Sequence, residues 1–220
     1  MHDVRALVFD AYGTLFDVYS VASACDAEFP GRGAALSQLW RAKQLEYSWL
    51  RSLMGRYEDF WSITEAALTF ACRALGLPLD EATRGRLMGG YLALDAYLDV
   101  PVLMAACGER PLAILSNGAP QMLRAVVEHN RLADRFAAVI SVDEVRVYKP
   151  EPRVYELAER RLGLPRAAIG FVSSNGWDAI GAAAYGFRVC WINRAGAPLD
   201  ELGAAPAVVV GGLGELAALL

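Results

Sequence analysis

Short apolar runs alternate with stretches of helical period along most of this chain. The runs at 4–9 (Val-Arg-Ala-Leu-Val-Phe), 112–115, 138–141, 169–173, 188–192 and 207–210 are brief and nearly uniformly apolar, which reads as buried strand. Helical patterns fall near 119–129, 152–163, 176–185 and 213–219, between or after the strands. Strand alternating with helix predicts an α/β protein with a parallel sheet covered on both faces, a doubly wound Rossmann-like core.

Residues 17–97 break the rhythm. They carry helical patterns at 36–53, 57–75 and 81–94 and little strand signal. Gly76-Leu77-Pro78-Leu79-Asp80 reads as a helix stop followed by a new start, with Asp80 as N-cap. The expected organisation is a core built from 1–16 and 98–220, with 17–97 inserted as a helical cap subdomain.

Composition narrows the function classes. The chain has 220 residues, 55% hydrophobic and 21% charged, enough apolar material for one packed core plus the insertion. Its formal net charge is −4, so the overall field does not attract nucleic acid. An anionic substrate must be caught by a local set of donors. Cys25, Cys72, Cys107 and Cys190 are scattered, without the C-x-x-C spacing of a zinc or redox site, and read as reduced thiols. The start of the chain lacks a basic segment followed by a long apolar one, and the apolar C-terminal stretch is broken by Pro206, several glycines and Glu215. The expectation is a cytoplasmic protein with no membrane partner.

In an open α/β sheet, the site forms beyond the carboxyl ends of the strands. That rule selects Asp10, Ser116 and Asn117, and the run Ser173-Ser174-Asn175, with Lys149 one loop past another strand. Alone, Asp10 is as well explained as a turn aspartate, and Lys149 as a solvated loop residue. Together they can form a carboxylate kept ionised by a neighbouring ammonium, which is a nucleophile. Thr14 lies four residues on and can return a hydroxyl to Asp10. Prolines at 150 and 152 would fix the loop that aims Lys149. The two histidines, His2 and His129, lie outside these segments, and no G-x-S-x-G elbow is present, which disfavours a Ser-His-Asp hydrolase. Gly211-Gly212-Leu213-Gly214 reads as a turn before the last helix.

Four segments carry a resemblance. Asp10-Ala-Tyr-Gly-Thr-Leu-Phe-Asp, Ser116-Asn117-Gly118, Val147-Tyr148-Lys149-Pro150 and Ser173-Ser174-Asn175-Gly176-Trp177-Asp178 resemble, in order, the motifs of the haloacid dehalogenase superfamily, and most closely its L-2-haloacid dehalogenase branch. Phosphatases of that superfamily look like D-x-D at the first motif and carry an acidic metal-binding pair at the fourth. Here Tyr12 stands at the second Asp, and the fourth motif keeps only Asp178, a poor Mg²⁺ cage. The resemblance therefore implies hydrolytic dehalogenation of short L-2-haloacids such as 2-chloropropionate and chloroacetate. It would proceed with inversion, through an ester on Asp10, without metal or other cofactor. A Mg²⁺-dependent small-molecule phosphatase is the alternative.

The same resemblance implies roles. Asp10 is the nucleophile, with Thr14, Lys149, Ser173, Asn175 and Asp178 around it. Ser116 would hold the substrate carboxylate. Arg41, Asn117 and Trp177 would receive halide, the ring edge of Trp177 being positive. Tyr12, Leu45, Phe60 and Trp177 would line the alkyl pocket, and Tyr155 would join the network. Asp178 could activate the hydrolytic water or hold Lys149; both readings stay open. Tyr19 stands where the branch often has histidine. Ala42 stands where a longer polar residue is expected, which implies a wider or wetter pocket. A homodimer through the helical subdomain is implied as well.

Overall fold

The computed structural model describes Met1 and residues 4–220. The first strand, β1 (Ala6–Phe9), is buried on every residue, because a strand flanked by strands and covered by helices on both faces has no solvated side. After it come four helices, α1 (Val21–Glu28), α2 (Gly33–Leu53), α3 (Phe60–Ala74) and α4 (Glu81–Gly90), all from the insertion. The chain returns through α5 (Val100–Ala106) to β2 (Leu112–Ser116), α6 (Pro120–His129) and β3 (Ala138–Ser141). It then runs α7 (Pro152–Leu162), β4 (Ile169–Ser173), α8 (Gly176–Tyr185), β5 (Arg188–Ile192), β6 (Val208–Val210) and α9 (Leu213–Ala217).

The strands form one parallel sheet in the order β3-β2-β1-β4-β5-β6. The chain winds outward from β1 in one direction, then crosses back and winds in the other. The order reverses at β1 and β4, and a doubly wound sheet opens its crevice there. Phe9 pairs with Ile114 of β2 and Val172 of β4. Asp10, Ser116 and Ser173 therefore leave the sheet at one edge.

The insertion is tied at its neck. Asp17 N–H donates to Asp95 O at 2.9 Å and Tyr97 N–H to Leu15 O at 3.0 Å, so the outgoing and returning chains are clamped together. Within it, α2 packs on α1 and α3, and Trp40 Nε1 donates to Thr64 O at 2.8 Å.

Several boundaries differ from expectation, each for a local reason. α3 begins at Phe60, not at 57, because the Asp59 carboxylate caps it by accepting from Ser62 N–H. α4 ends at Gly90, not at 94, where Gly89 and Gly90 weaken the helix. Asp80 caps α4 as expected, accepting from Thr83 N–H at 2.7 Å. The pattern missed α1 and α5. α1 buries only Val21 and Cys25, and α5 is 7 residues long with a proline in its first turn, so neither presents a readable period. Among the described residues no helix is long and apolar enough to cross a membrane.

Candidate active site

Asp10 is the first residue past β1, and its N–H still donates to Val172 O at 2.9 Å. The carboxylate is thus held at the sheet edge by the strand ladder itself. Its Oδ2 accepts from Asn175 Nδ2 at 2.8 Å and Thr14 Oγ1 at 3.2 Å, and its Oδ1 from Lys149 Nζ at 3.1 Å. The Thr14 hydroxyl is oriented in turn by Ser174 N–H, which donates to it at 2.9 Å. Ser173 lies one step back, its Oγ accepting from Asn175 N–H at 3.2 Å and setting the turn that presents Asn175.

Lys149 is fully buried, and its Nζ also donates to Asp178 Oδ2 at 3.0 Å. Burial alone would discharge it. The carboxylates of Asp10 and Asp178 outweigh that penalty and leave its pKa above the ordinary lysine value. Asp178 sits in the first turn of α8, fully buried, with its Oδ1 accepting from Tyr155 Oη at 2.8 Å. Burial raises its pKa above the usual carboxylate range, Lys149 pulls it down, and Asp10 adds a further upward push.

A small cavity opens on Asp10. Tyr12, Arg41, Leu45, Phe60, Ser116, Asn117, Asn175 and Trp177 complete its wall. Its volume is about 10 Å³, room for one water and no more. Arg41, Asn175 and Trp177 also line a second, larger pocket of about 560 Å³, together with Tyr19, Arg194 and Pro198. Gly118 shapes the inner cavity: a Cβ there would lie 2.6 Å from the Tyr12 ring, so only glycine lets Tyr12 close over the site. Tyr12 Oη is buried without a partner among the described residues, and burial, first of all, holds its pKa far above the ordinary tyrosine value.

Two hydrogen bonds set donor directions. Ser116 Oγ accepts from Gly118 N–H at 3.1 Å, which leaves the hydroxyl hydrogen free to donate into the cavity. Asn117 Oδ1 accepts from Lys149 N–H at 3.0 Å, so its NH₂ is the end available to an anion.

Some expected placements are not met. Tyr155 does not line the cavity: it is fully buried beneath it and reaches the site only through Asp178. Ala42 is exposed on the outer side of α2 and leaves no gap, and the cavity is tight where a wider one was expected. His129 lies away from the site, beside Asp95, and His2 lies outside the described residues. Sequence reasoning missed Gln44, which is fully buried and bonded to Arg41 at 2.6 Å. The available signal was its spacing, three residues after Arg41 on one helix. Among the described residues, no cluster of three or more His, Cys, Asp or Glu side chains forms a metal-binding group.

The chain is similar to known proteins over most of its length. The haloacid dehalogenase-like hydrolase family matches residues 4–186. An (S)-2-haloacid dehalogenase of Pseudomonas sp. (strain YL) is 56% identical over 208 residues, 94% of this chain and 90% of the relative. The crystal structure of an L-2-haloacid dehalogenase shares the fold at a TM-score of 0.96 and 48% identity, covering 99% of this chain and 98% of that one. The L-2-haloacid dehalogenase of Xanthobacter autotrophicus with chloropropionic acid covalently bound matches at a TM-score of 0.92 and 46% identity, over 98% of both chains.

Proposed function

The chain belongs to the haloacid dehalogenase-like hydrolase family, and we propose the route by which its residues hydrolyse short L-2-haloacids to 2-hydroxy acids. In this reading the reaction passes through an ester on Asp10, which the covalently bound chloropropionic acid of the Xanthobacter autotrophicus relative supports. One carboxylate oxygen attacks C2 from the side opposite the halogen; the C–O bond forms as the carbon–halogen bond breaks, and halide leaves with the electron pair. C2 inverts once. Water then adds to Cγ of Asp10 and not to C2, so the second step restores the carboxylate and releases the hydroxy acid with its new configuration.

The donors around Asp10 suit both steps. Thr14, Asn175 and Lys149 hold the carboxylate before attack. Whichever oxygen remains the ester carbonyl keeps donors already in place when water adds and negative charge develops on it. Ser116, with its hydroxyl hydrogen free, is placed to bind the substrate carboxylate. Arg41, the NH₂ of Asn117 and the edge of Trp177 are placed to receive halide. Leu45, Phe60 and Tyr12 supply apolar wall. Both oxygens of Asp178 are engaged, one by Lys149 and one by Tyr155. That supports a role in holding the ammonium on Asp10, with activation of water as the second reading.

One observation carries the assignment: Lys149 Nζ bridges Asp10 and Asp178, so the two buried carboxylates of the site already share an ammonium as their counter-charge. At the other key position, Tyr12 supplies a neutral phenol in place of a second acid. The test is a single turnover in ¹⁸O-water. Label is expected first in Asp10 and only later in product; label in the product of the first turnover would sink the covalent route through Asp10.

Two wider features rest on separate observations. Leu50 and Leu53 of α2, Met54 just after it and Phe70 of α3 are exposed, and Leu50 and Met54 line a surface cavity of about 910 Å³. This apolar face supports a homodimer through the helical insertion; sedimentation of Leu53→Glu at the monomer position, against a wild-type dimer, is the expected result. All four cysteines are free thiols, which supports a reducing, cytoplasmic setting.

A further inference from the structure

We infer that Gln44 is a positioning residue for the departing halide, acting through Arg41; the inference rests on Arg41 being the halide acceptor proposed above. Gln44 is fully buried in α2, one turn after Arg41. Its Oε1 accepts from Arg41 Nη1 at 2.6 Å. A buried amide is costly unless both ends are bonded. Here the other end is bonded too, Nε2 donating to Thr64 Oγ1 at 2.7 Å.

Thr64 dictates which way the amide points. Its hydroxyl spends its hydrogen on Phe60 O at 2.6 Å, so towards Gln44 it can only accept. The NH₂ of Gln44 must face Thr64, and the carbonyl oxygen must face Arg41. Trp40 Nε1 fastens the same turn of α3 by donating to Thr64 O. A relay from Phe60 through Thr64 and Gln44 therefore fixes the guanidinium against the cavity wall that Phe60 and Arg41 share.

Arg41 borders both the small cavity on Asp10 and the larger pocket of about 560 Å³. An untethered guanidinium has that open space to swing into, where water satisfies it and halide does not reach it. Gln44 prevents this without neutralising the charge. Glutamate at 44 would hold Arg41 as firmly but would spend its positive charge on a carboxylate. It would also set an acceptor against Thr64, whose hydrogen is already committed.

Halide leaves with an electron pair and no proton, so what Arg41 supplies is charge stabilisation as the bond breaks. The poorer leaving group depends on it more. The inference is tested by the single-turnover alkylation rates of chloroacetate and bromoacetate in wild type, Gln44→Leu, Gln44→Glu, Thr64→Val and Arg41→Lys. Gln44→Leu is expected to slow the chloroacetate step about tenfold or more, the loss of a hydrogen bond to a charged group. Bromoacetate should slow less, so the bromo-to-chloro ratio rises. Gln44→Glu and Thr64→Val should move the ratio the same way, and they carry the test if Gln44→Leu does not fold. Equal slowing of both substrates, or no slowing, overturns the inference. Arg41→Lys separates the two assignments. An unchanged ratio there removes Arg41 as halide acceptor; a raised ratio there, with none in the Gln44 and Thr64 variants, removes only the role of Gln44.

Discussion

Lys149 comes to Asp10 from 139 positions further along the chain, and its Nζ stops 3.1 Å from Oδ1 with both side chains shut away from water. The same ammonium bonds Asp178 at 3.0 Å. One cation thus balances two buried carboxylates, and it also lies 4.9 Å from the centre of the Phe171 ring.

Lys149→Met should therefore damage folding as well as chemistry. It keeps the apolar stem but leaves two carboxylates buried without their counter-charge. Breaking one partner out of a buried ion pair commonly costs about 3–5 kcal/mol. Urea unfolding should show a loss on that scale, and halide release should fall to background. A variant as stable as wild type would mean that the ammonium is not the counter-charge described here.

Asp178 should set an acid limb on activity. Its burial raises its pKa, so it takes up a proton at a higher pH than an exposed aspartate. If the anion that holds Lys149 is the working form, as proposed above, turnover should fall as pH drops through that raised value. Tyr155 donates to the carboxylate and favours its charged form. Tyr155→Phe removes that help, and the acid limb of kcat should move to higher pH. A limb that stays in place, or moves down, contradicts this network.

Arg41→Ala should remove most turnover. Donors aimed at developing charge are commonly worth roughly 3 kcal/mol, about two orders of magnitude in rate. Halide release from chloroacetate under saturating substrate measures it. A loss smaller than about threefold would identify Arg41 as a wall residue only.

Gly181 and Gly85 should respond oppositely to alanine. A Cβ on Gly181 would lie 2.5 Å from Pro150 Cβ and 2.7 Å from Tyr155 Oη, between the lysine loop and the tyrosine under Asp178. Overpacking of this kind costs about 1–3 kcal/mol, and turnover should fall with it. A Cβ on Gly85, in α4, meets nothing within 4 Å, and alanine there should stabilise by about 0.5–1 kcal/mol. Thermal melting of the two variants checks both signs.

Much of this protein was legible before any coordinates. Strand periodicity is local, and a parallel sheet sends the carboxyl ends of its strands to one edge. Asp10, Ser116, Asn117 and Asn175 had to converge once the strands were read, with Lys149 beside them. What lay beyond the sequence is what depends on how separate elements pack. Helical spacing puts Gln44, three residues on, on the same side of α2 as Arg41 and turns Ala42 away, but it does not say what covers that side. Packing against α3 buries Gln44 on Thr64 and turns Ala42 to solvent. Tyr155 was expected in the network, but its partner there depends on how α7 seats against α8, which sets it under Asp178. The cavity's small volume is likewise a property of the closed insertion over the sheet edge, set by Tyr12, Phe60 and Trp177 meeting from three different segments. Residue type and period specify which groups can do the chemistry; only the tertiary contacts decide which of them touch.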